Sequence, residues 1–188
     1  MSDQKSALPG ARHDGLVTVT EAGLRGMITL KGDLASDAVK HAATSATGTD
    51  MPGMRGITTA GSKGLAWMAP DEVLILLPRG DTSAALAAIA EALKDEHHLA
   101  ADVSDARALF TLEGPKVREV LAKLAPADLS PKGLPPGEIR RTRVAQVAAA
   151  IWFESDTKAH LICFRSVAEY VFGLLSNAAD PAAPVDHF

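Results

Sequence analysis

Cysteine occurs once in the 188 residues, as Cys163, so no internal disulfide can staple the chain. It stands in the apolar run Leu161-Ile162-Cys163-Phe164 with no neighbouring base, which reads as a buried thiol in a core strand and not as a nucleophile. Aromatic residues are only 4%, so each core side chain buries little area and helices must pack closely through alanine. Excess positive charge is also missing: 19 Lys and Arg stand against 23 Asp and Glu, for a net charge of -4 and a pI near 5.8. Nucleic acid, which demands a basic face, is thereby excluded as a partner. No run approaches the roughly 18 apolar residues of a membrane span, and the opening MSDQKSALPG lacks the apolar stretch of a secretory signal, so the expected location is the cytoplasm.

The familiar cradles of chemistry are absent as well. There is no G-x-G-x-x-G after a strand and no G-x-x-x-x-G-K-[ST], so no dinucleotide or nucleotide phosphate site is readable. Neither Cys-x-x-Cys nor His-x-x-x-His occurs, and no Ser, His and Asp set is suggested by spacing. The expectation is a chain without catalytic, cofactor or metal residues of its own.

What is present is 47% hydrophobic residues, enough for one large domain or two small subdomains sharing a core. The organising stretch is Asp102–Val120, DVSDARALFTLEGPKVREV. Asp102 to Asp105 reads as a turn in which Ser and Asp side chains bond nearby amides; this capping role is preferred over an acidic site pair. Arg107 to Glu113 alternates, with Ala108, Phe110 and Leu112 on one face, as a strand does. Gly114 ends it, Pro115 suits a first helical position, and Val117, Val120, Leu121 and Leu124 recur at helical spacing.

In chain order, residues 1–14 read as a flexible arm. Leu16–Thr20 and Gly26–Lys31 read as short strands and Leu34–Ala43 as a helix, followed by a Gly-rich loop to Gly64 with a strand at Ile57–Ala60. Residues 15–64 thus form a hairpin-plus-helix subdomain, with the internal boundary expected in that loop. The main domain spans 65–177. It opens on a hairpin, Leu65–Ala69 and Glu72–Leu77 around Pro70-Asp71, then a helix from Asp81 or Thr82 to about His97. His97 and His98 read as a solvated helix end, because adjacent histidines point apart and no ligand partner stands at a suitable spacing. Beyond Val120, Ala125–Gly137 is a Pro-rich loop and Arg143–Phe153 the longest strand. Ala159–Phe164 returns, and Ser166 caps a last helix. Residues 178–188 are a tail. The order from Arg107 is strand, helix, strand, strand, helix; with a strand borrowed from the preceding hairpin it makes a ferredoxin-like split unit. The fold class is α+β, with mixed or antiparallel sheets and helices.

DVSDARALFTLEGPKVREVLAKLAPADLSP, PPGEIRRTRVAQVAAAIWFE, FRSVAEYVFGLL and GMITLKGDLAS together resemble the gamma subunit family of bacterial heterotetrameric sarcosine oxidase over nearly the whole chain. The strand, Gly-Pro and amphipathic helix more loosely resemble the tetrahydrofolate-binding domain of glycine-cleavage aminomethyltransferases, a likeness of fold. The closer resemblance implies a non-catalytic subunit of a cytoplasmic complex with alpha, beta and delta partners. Such a complex demethylates sarcosine oxidatively to glycine, with hydrogen peroxide and either formaldehyde or methylenetetrahydrofolate as further products. It also implies that FAD, FMN, NAD, tetrahydrofolate and zinc belong to those partners. The alternative is an independent folate-binding or aminomethyltransferase-like protein, which would need a carboxylate poised at a pocket.

One polar cluster stands out, GEIRRTR, with Glu138, Arg140, Arg141 and Arg143. Arginine forks suit carboxylates and phosphates, so a folate tail is the sharp reading. Pairing with acidic neighbours, in the chain or on a partner, is preferred because Arg140 and Arg141 must point to opposite faces of a strand. Trp67 and Trp152 read as core or interface anchors. Leu8, Leu134, Val185 and Phe188 are isolated apolar residues in arm, loop and tail, each suited to a groove on another protein.

Overall fold

The computed structural model of the chain describes residues 4–187. These form β1 (Arg12–Asp14), β2 (Thr18–Glu21), β3 (Arg25–Lys31), α1 (Asp37–Thr47), β4 (Ile57–Ala60), β5 (Lys63–Ala69), β6 (Glu72–Pro78), α2 (Thr82–Ala92), β7 (Leu99–Asp102), β8 (Arg107–Glu113), α3 (Val117–Ala122), β9 (Ile139–Val144), β10 (Val147–Ser155), β11 (Lys158–Phe164) and α4 (Ala168–Ala178). Short turns of 3-10 helix lie at Arg79–Asp81, Ser104–Ala106 and Arg165–Val167. Among the described residues no helix is long and apolar enough to cross a membrane.

The chain divides into two compact units. The first, Leu24–Ser104, carries an antiparallel sheet ordered β4-β5-β6-β3-β7. Its run β3-α1-β5-β6-α2-β7, with β3 beside both β6 and β7, is a ferredoxin-like split unit. Ile28, Leu30, Val73, Ile75 and Leu77 form one sheet face, closed by Val39, Ala42 and Ala43 of α1 and by Ile89 and Leu93. Leu74 and Leu76, which point the other way, are buried too, and so β6 reads as an unbroken apolar run instead of an alternating one.

The second unit joins residues up to Gly23 with those from Asp105 onward. Its antiparallel sheet is ordered β1-β2-β8-β11-β10-β9. Here β8-α3-β10-β11-α4 supplies five parts of the same split unit. The expected borrowed strand is present, but it comes from the N-terminus and not from the β5–β6 hairpin: β2 lies against β8, from Thr18 opposite Glu113 to Glu21 opposite Phe110. Val19, Phe110, Leu112, Ile151, Phe153 and Leu161 share one core with Val120 and Leu121 of α3 and Val171 and Leu175 of α4. Gly114 sits at the crossing. Its φ of 150° is open only to glycine, and a Cβ there would lie 3.1 Å from the Val17 Cα.

Several sequence expectations change. The division falls at Gly23 and Ser104, not in the loop before Gly64, because β3 pairs with β6 along its full length, from Arg25 opposite Pro78 to Lys31 opposite Glu72. That ladder ties the supposed separate subdomain to the hairpin beyond it. The long strand Arg143–Phe153 is broken by a two-residue reversal at Ala145-Gln146, where Val144 pairs with Val147. Ala145 takes a left-handed φ of 49° there and donates its amide to the Leu124 carbonyl at 2.9 Å. Helix α2 stops at Ala92, so His97 and His98 lie in the loop before β7, and the His98 ring approaches the Glu96 carbonyl at 3.0 Å. Helix α3 begins at Val117, two residues after Pro115, and Ser166 does not cap α4, whose N-cap is Val167.

The arm and tail lie on the body. Arg12–Asp14 pairs with β2, Leu8 packs on the second core, and Arg165 donates to the carbonyls of Lys5 and Ser6 at 2.9 and 3.0 Å.

Candidate functional site

Strand β9 presents the three arginines as the period of a strand dictates. Arg140 lies opposite Ile151 on the helix-bearing face, while Arg141 and Arg143 lie opposite Ala150 and Ala148 on the other. Arg140 donates to the Gly133 carbonyl at 2.7 Å and stands 3.7 Å from the Glu138 carboxylate. Arg143 donates to the Gln146 side chain at 2.6 Å. The three therefore do not converge on one anion, and a folate tail would find no fork built for it here. Of the three, Arg140 stands beside an acidic neighbour, Glu138, whereas the Arg143 contact is with the neutral Gln146 amide.

Helix α3 holds the polar centre that the sequence hid. Five consecutive residues, Val117 to Leu121, are buried, among them Arg118 at 5% exposure and Glu119 at 2%. Buried charges must be paired, and these two are. The Arg118 guanidinium lies 3.9 Å over the Phe153 ring and donates to the carbonyls of Leu129 (2.8 Å) and Leu134 (3.1 Å), with Asp156 at 3.4 Å. With Arg140 on Gly133, two arginines thus hold the Pro-rich loop through its own backbone. Leu134, expected to anchor on a partner, is fully buried in this chain's core, as is Leu129.

Glu119 does for the tail what Arg118 does for the loop. Its carboxylate accepts the amides of Val185 and Asp186, with Lys116 at 3.3 Å and Lys123 at 3.8 Å. Lys116 also pairs with Asp186 at 2.6 Å, and Lys123 donates to the carbonyls of Ala178 and Ala183 at 2.9 and 2.7 Å. The Val185 amide, opposed by burial and aided by Lys116, holds the Glu119 carboxyl below its ordinary range. Val185 itself stays 61% exposed; Phe188, the other expected tail anchor, lies outside the described residues.

The chain matches the model of the sarcosine oxidase gamma subunit family over residues 31–181. The chain belongs to the sarcosine oxidase gamma subunit family. It is 31% identical over 139 residues to the sarcosine oxidase subunit gamma of Corynebacterium sp. (strain P-1), covering 73% of this chain and 68% of that one. A solved heterotetrameric sarcosine oxidase from Corynebacterium sp. U-96, in complex with pyrrole 2-carboxylate, contains a chain that superposes with a TM-score of 0.82 at 26% identity, over 93% of this chain and 91% of that one. The glycine cleavage system aminomethyltransferase T of Bartonella henselae superposes with a TM-score of 0.60 at 13% identity, over 84% of this chain and 44% of that one, a likeness of fold.

Other groups in this gamma-family chain are accounted for by packing. Cys163 is 2% exposed on β11, and burial pushes its thiol up to about 12, so it is neutral at physiological pH. Asp102 caps the turn as expected, accepting the Ser104 hydroxyl and amide and pairing with Arg79 at 3.2 Å. Partial burial opposes the charge on Asp102, but these partners outweigh it and keep its carboxyl below the ordinary range. Trp152 is 5% exposed and stacks on His160 at 4.9 Å, while Trp67 is half-buried. No group of three or more His, Cys, Asp or Glu among the described residues is placed to hold a metal. A cleft of about 440 Å³ between α1 and α2 is lined largely by alanines, with the Lys63–Asp81 pair beside it.

The signal that could have found Arg118 and Glu119 is indirect. They fall off the Val117, Val120, Leu121 stripe, so periodicity reads them as solvated. Only the poverty of apolar residues in the flanking loop and tail hints that something polar must hold both down.

Proposed function

We propose that this chain is the gamma subunit of a heterotetrameric sarcosine oxidase, acting in assembly and carrying no chemistry of its own. The observation that supports it most is the match to a chain of the Corynebacterium complex across 93% of this one at a TM-score of 0.82. The complex would demethylate sarcosine oxidatively to glycine, yielding hydrogen peroxide and formaldehyde or methylenetetrahydrofolate. By resemblance to the family, FAD, FMN, NAD, tetrahydrofolate and zinc are assigned to the alpha, beta and delta subunits; this sequence shows no dinucleotide fingerprint of its own. Arg141 and Arg143, on the exposed side of β9, together with the arm and the tail, are assigned to contacts with those subunits.

The test is reconstitution in the cytoplasm of an expression host. The chain alone is expected to purify colourless and inactive with sarcosine; co-expressed with the flavoprotein subunits it should co-elute with them and raise the yield of active complex. A flavin band that stays with the isolated chain through gel filtration would overturn the assembly reading. Tight binding of tetrahydrofolate by the isolated chain would favour the aminomethyltransferase-like alternative. A chain lacking residues 1–10 and 181–188 that assembles with full affinity would remove arm and tail from the interface.

A further inference from the structure

Strand β9 closes one side of the six-stranded sheet, and its six residues make it the longer of that sheet's two terminal strands; β1, on the other side, has three. A terminal strand has a partner on one flank only. The reversal at Ala145-Gln146 fixes which backbone groups that partner takes. Val144 and Val147 face each other across a two-residue turn and so form a hydrogen-bonded pair, and such pairs alternate along an antiparallel ladder. Thr142 and Arg140, opposite Ala149 and Ile151, therefore also turn their backbone groups to β10. The amides and carbonyls of Ile139, Arg141 and Arg143 point outward, and no described backbone bond outside the ladder reaches them.

An unpaired edge is a template for another strand, and proteins blunt such edges with prolines, bulges or charge. Strand β9 has no proline, and its ladder to β10 runs from Val144 to Ile139 without a register shift. Charge is what it carries. Arg141 and Arg143 are its two exposed residues and share one face, and the positions beside them on β10 are the uncharged Ala150 and Ala148. Among the described residues Arg143 donates only to the carbonyl and the side-chain oxygen of Gln146, so its charge meets no carboxylate.

Like charges set opposite each other across strands are destabilising and opposite ones stabilising, so this edge repels a second copy of itself and favours an acidic strand. We propose that the outer edge of β9 takes an extended segment of a partner subunit as a seventh strand, with a carboxylate side chain opposite Arg143. The inference rests on the assembly reading and states how the partner is held. Main-chain bonds at Arg141 and Arg143 supply affinity, and the guanidinium selects the segment that docks.

The test uses the full chain and a complex of the remaining oxidase subunits. On binding, exchange of the Arg141 and Arg143 amides with solvent should slow by at least about tenfold, read by hydrogen exchange resolved to single residues. Arg143→Pro removes an outward donor and leaves the bonds to β10 in place, which an edge strand tolerates. It should melt near the wild-type temperature and bind at least about tenfold more weakly in biolayer interferometry. Arg143→Glu should weaken binding by a similar factor, with a smaller loss at high salt. Lys94→Glu, at an exposed site of the other unit, should change affinity less than about twofold. If the wild-type chain fails to bind, the assembly reading falls and this one with it. If it binds while the two amides stay unprotected, the edge is not the contact and the assembly reading stands. Wild-type affinity in Arg143→Glu, or an equal loss in Lys94→Glu, would overturn the carboxylate opposite Arg143.

Discussion

A guanidinium at 5% exposure is costly to bury, and Arg118 repays that cost by satisfying two carbonyls of a loop that has few backbone partners of its own. Arg118→Ala should destabilise the protein by about 3 kcal/mol in urea unfolding, since it leaves the Leu129 and Leu134 carbonyls unmatched and strips one face of Phe153. The variant should also become sensitive to trypsin at exposed Lys132, which limited digestion would reveal. Glu119 acts through its charge. Its folded carboxyl lies below the ordinary value, so its contribution is present above the unfolded pKa and is lost as pH falls through the folded one. The tail amides of Val185 and Asp186 should therefore lose hydrogen-exchange protection in the acid range below the ordinary carboxylate value. In Glu119→Gln they should be weakly protected at every pH, with no step. A step that survives in Glu119→Gln would assign the titration elsewhere. Ala145 holds a left-handed φ of 49°. Ala145→Gly should accordingly raise stability by up to about 1 kcal/mol, measured as a higher melting temperature; a lower one would show that the reversal is not strained.

At the scale of elements, legibility followed pattern strength. Strand β8 was readable to the residue, because Arg107–Glu113 alternates cleanly between a turn and Gly114. The hairpin β5–β6 was equally clear, since Pro70-Asp71 is turn chemistry with a mechanism. What failed was punctuation. Ala145-Gln146 has none of the residues that mark a reversal, and Val144 and Val147 on either side continue the apolar run, so one strand was read where two exist. Strand β7, Leu99–Asp102, is half alanine and ends on aspartate, and it is strand because β3 offers it a ladder. The candidate site was half legible: opposite faces for Arg140 and Arg141 follow from a strand's period, whereas the partners of Arg118 and Glu119 are a loop and a tail that sequence cannot place.

For the whole molecule, the decisive feature is that the second split unit borrows its fourth strand from the start of the chain. Nothing in the period of residues 18–21 announces that partner, which is why the N-terminal piece was read as a separate subdomain. The topology makes a sharp forecast. A circular permutant that begins at Leu24, joins the original ends through a flexible Gly/Ser linker and finishes at Gly23 keeps every strand neighbour, and should melt cooperatively near the wild-type temperature. Simple deletion of residues 1–23 should not, because Val17 and Val19, at 2 and 0% exposure, leave the core and β8 loses its edge partner. An unfolded permutant, or a stable deletion, would contradict the assignment of β2.

The same connectivity sets a clock on synthesis. Glu21 must wait for Phe110, which leaves the ribosome about 90 residues later; at roughly 5–20 residues per second this is on the order of 5–20 s. For that interval β2 is a nascent strand with no neighbour, in a compartment crowded with other nascent strands. Its sequence, Thr-Val-Thr-Glu, is polar at three of four positions. A segment so written is a poor seed for intermolecular pairing, and the hydroxyls and carboxylate on it serve the seconds of the protein's making as well as its finished form.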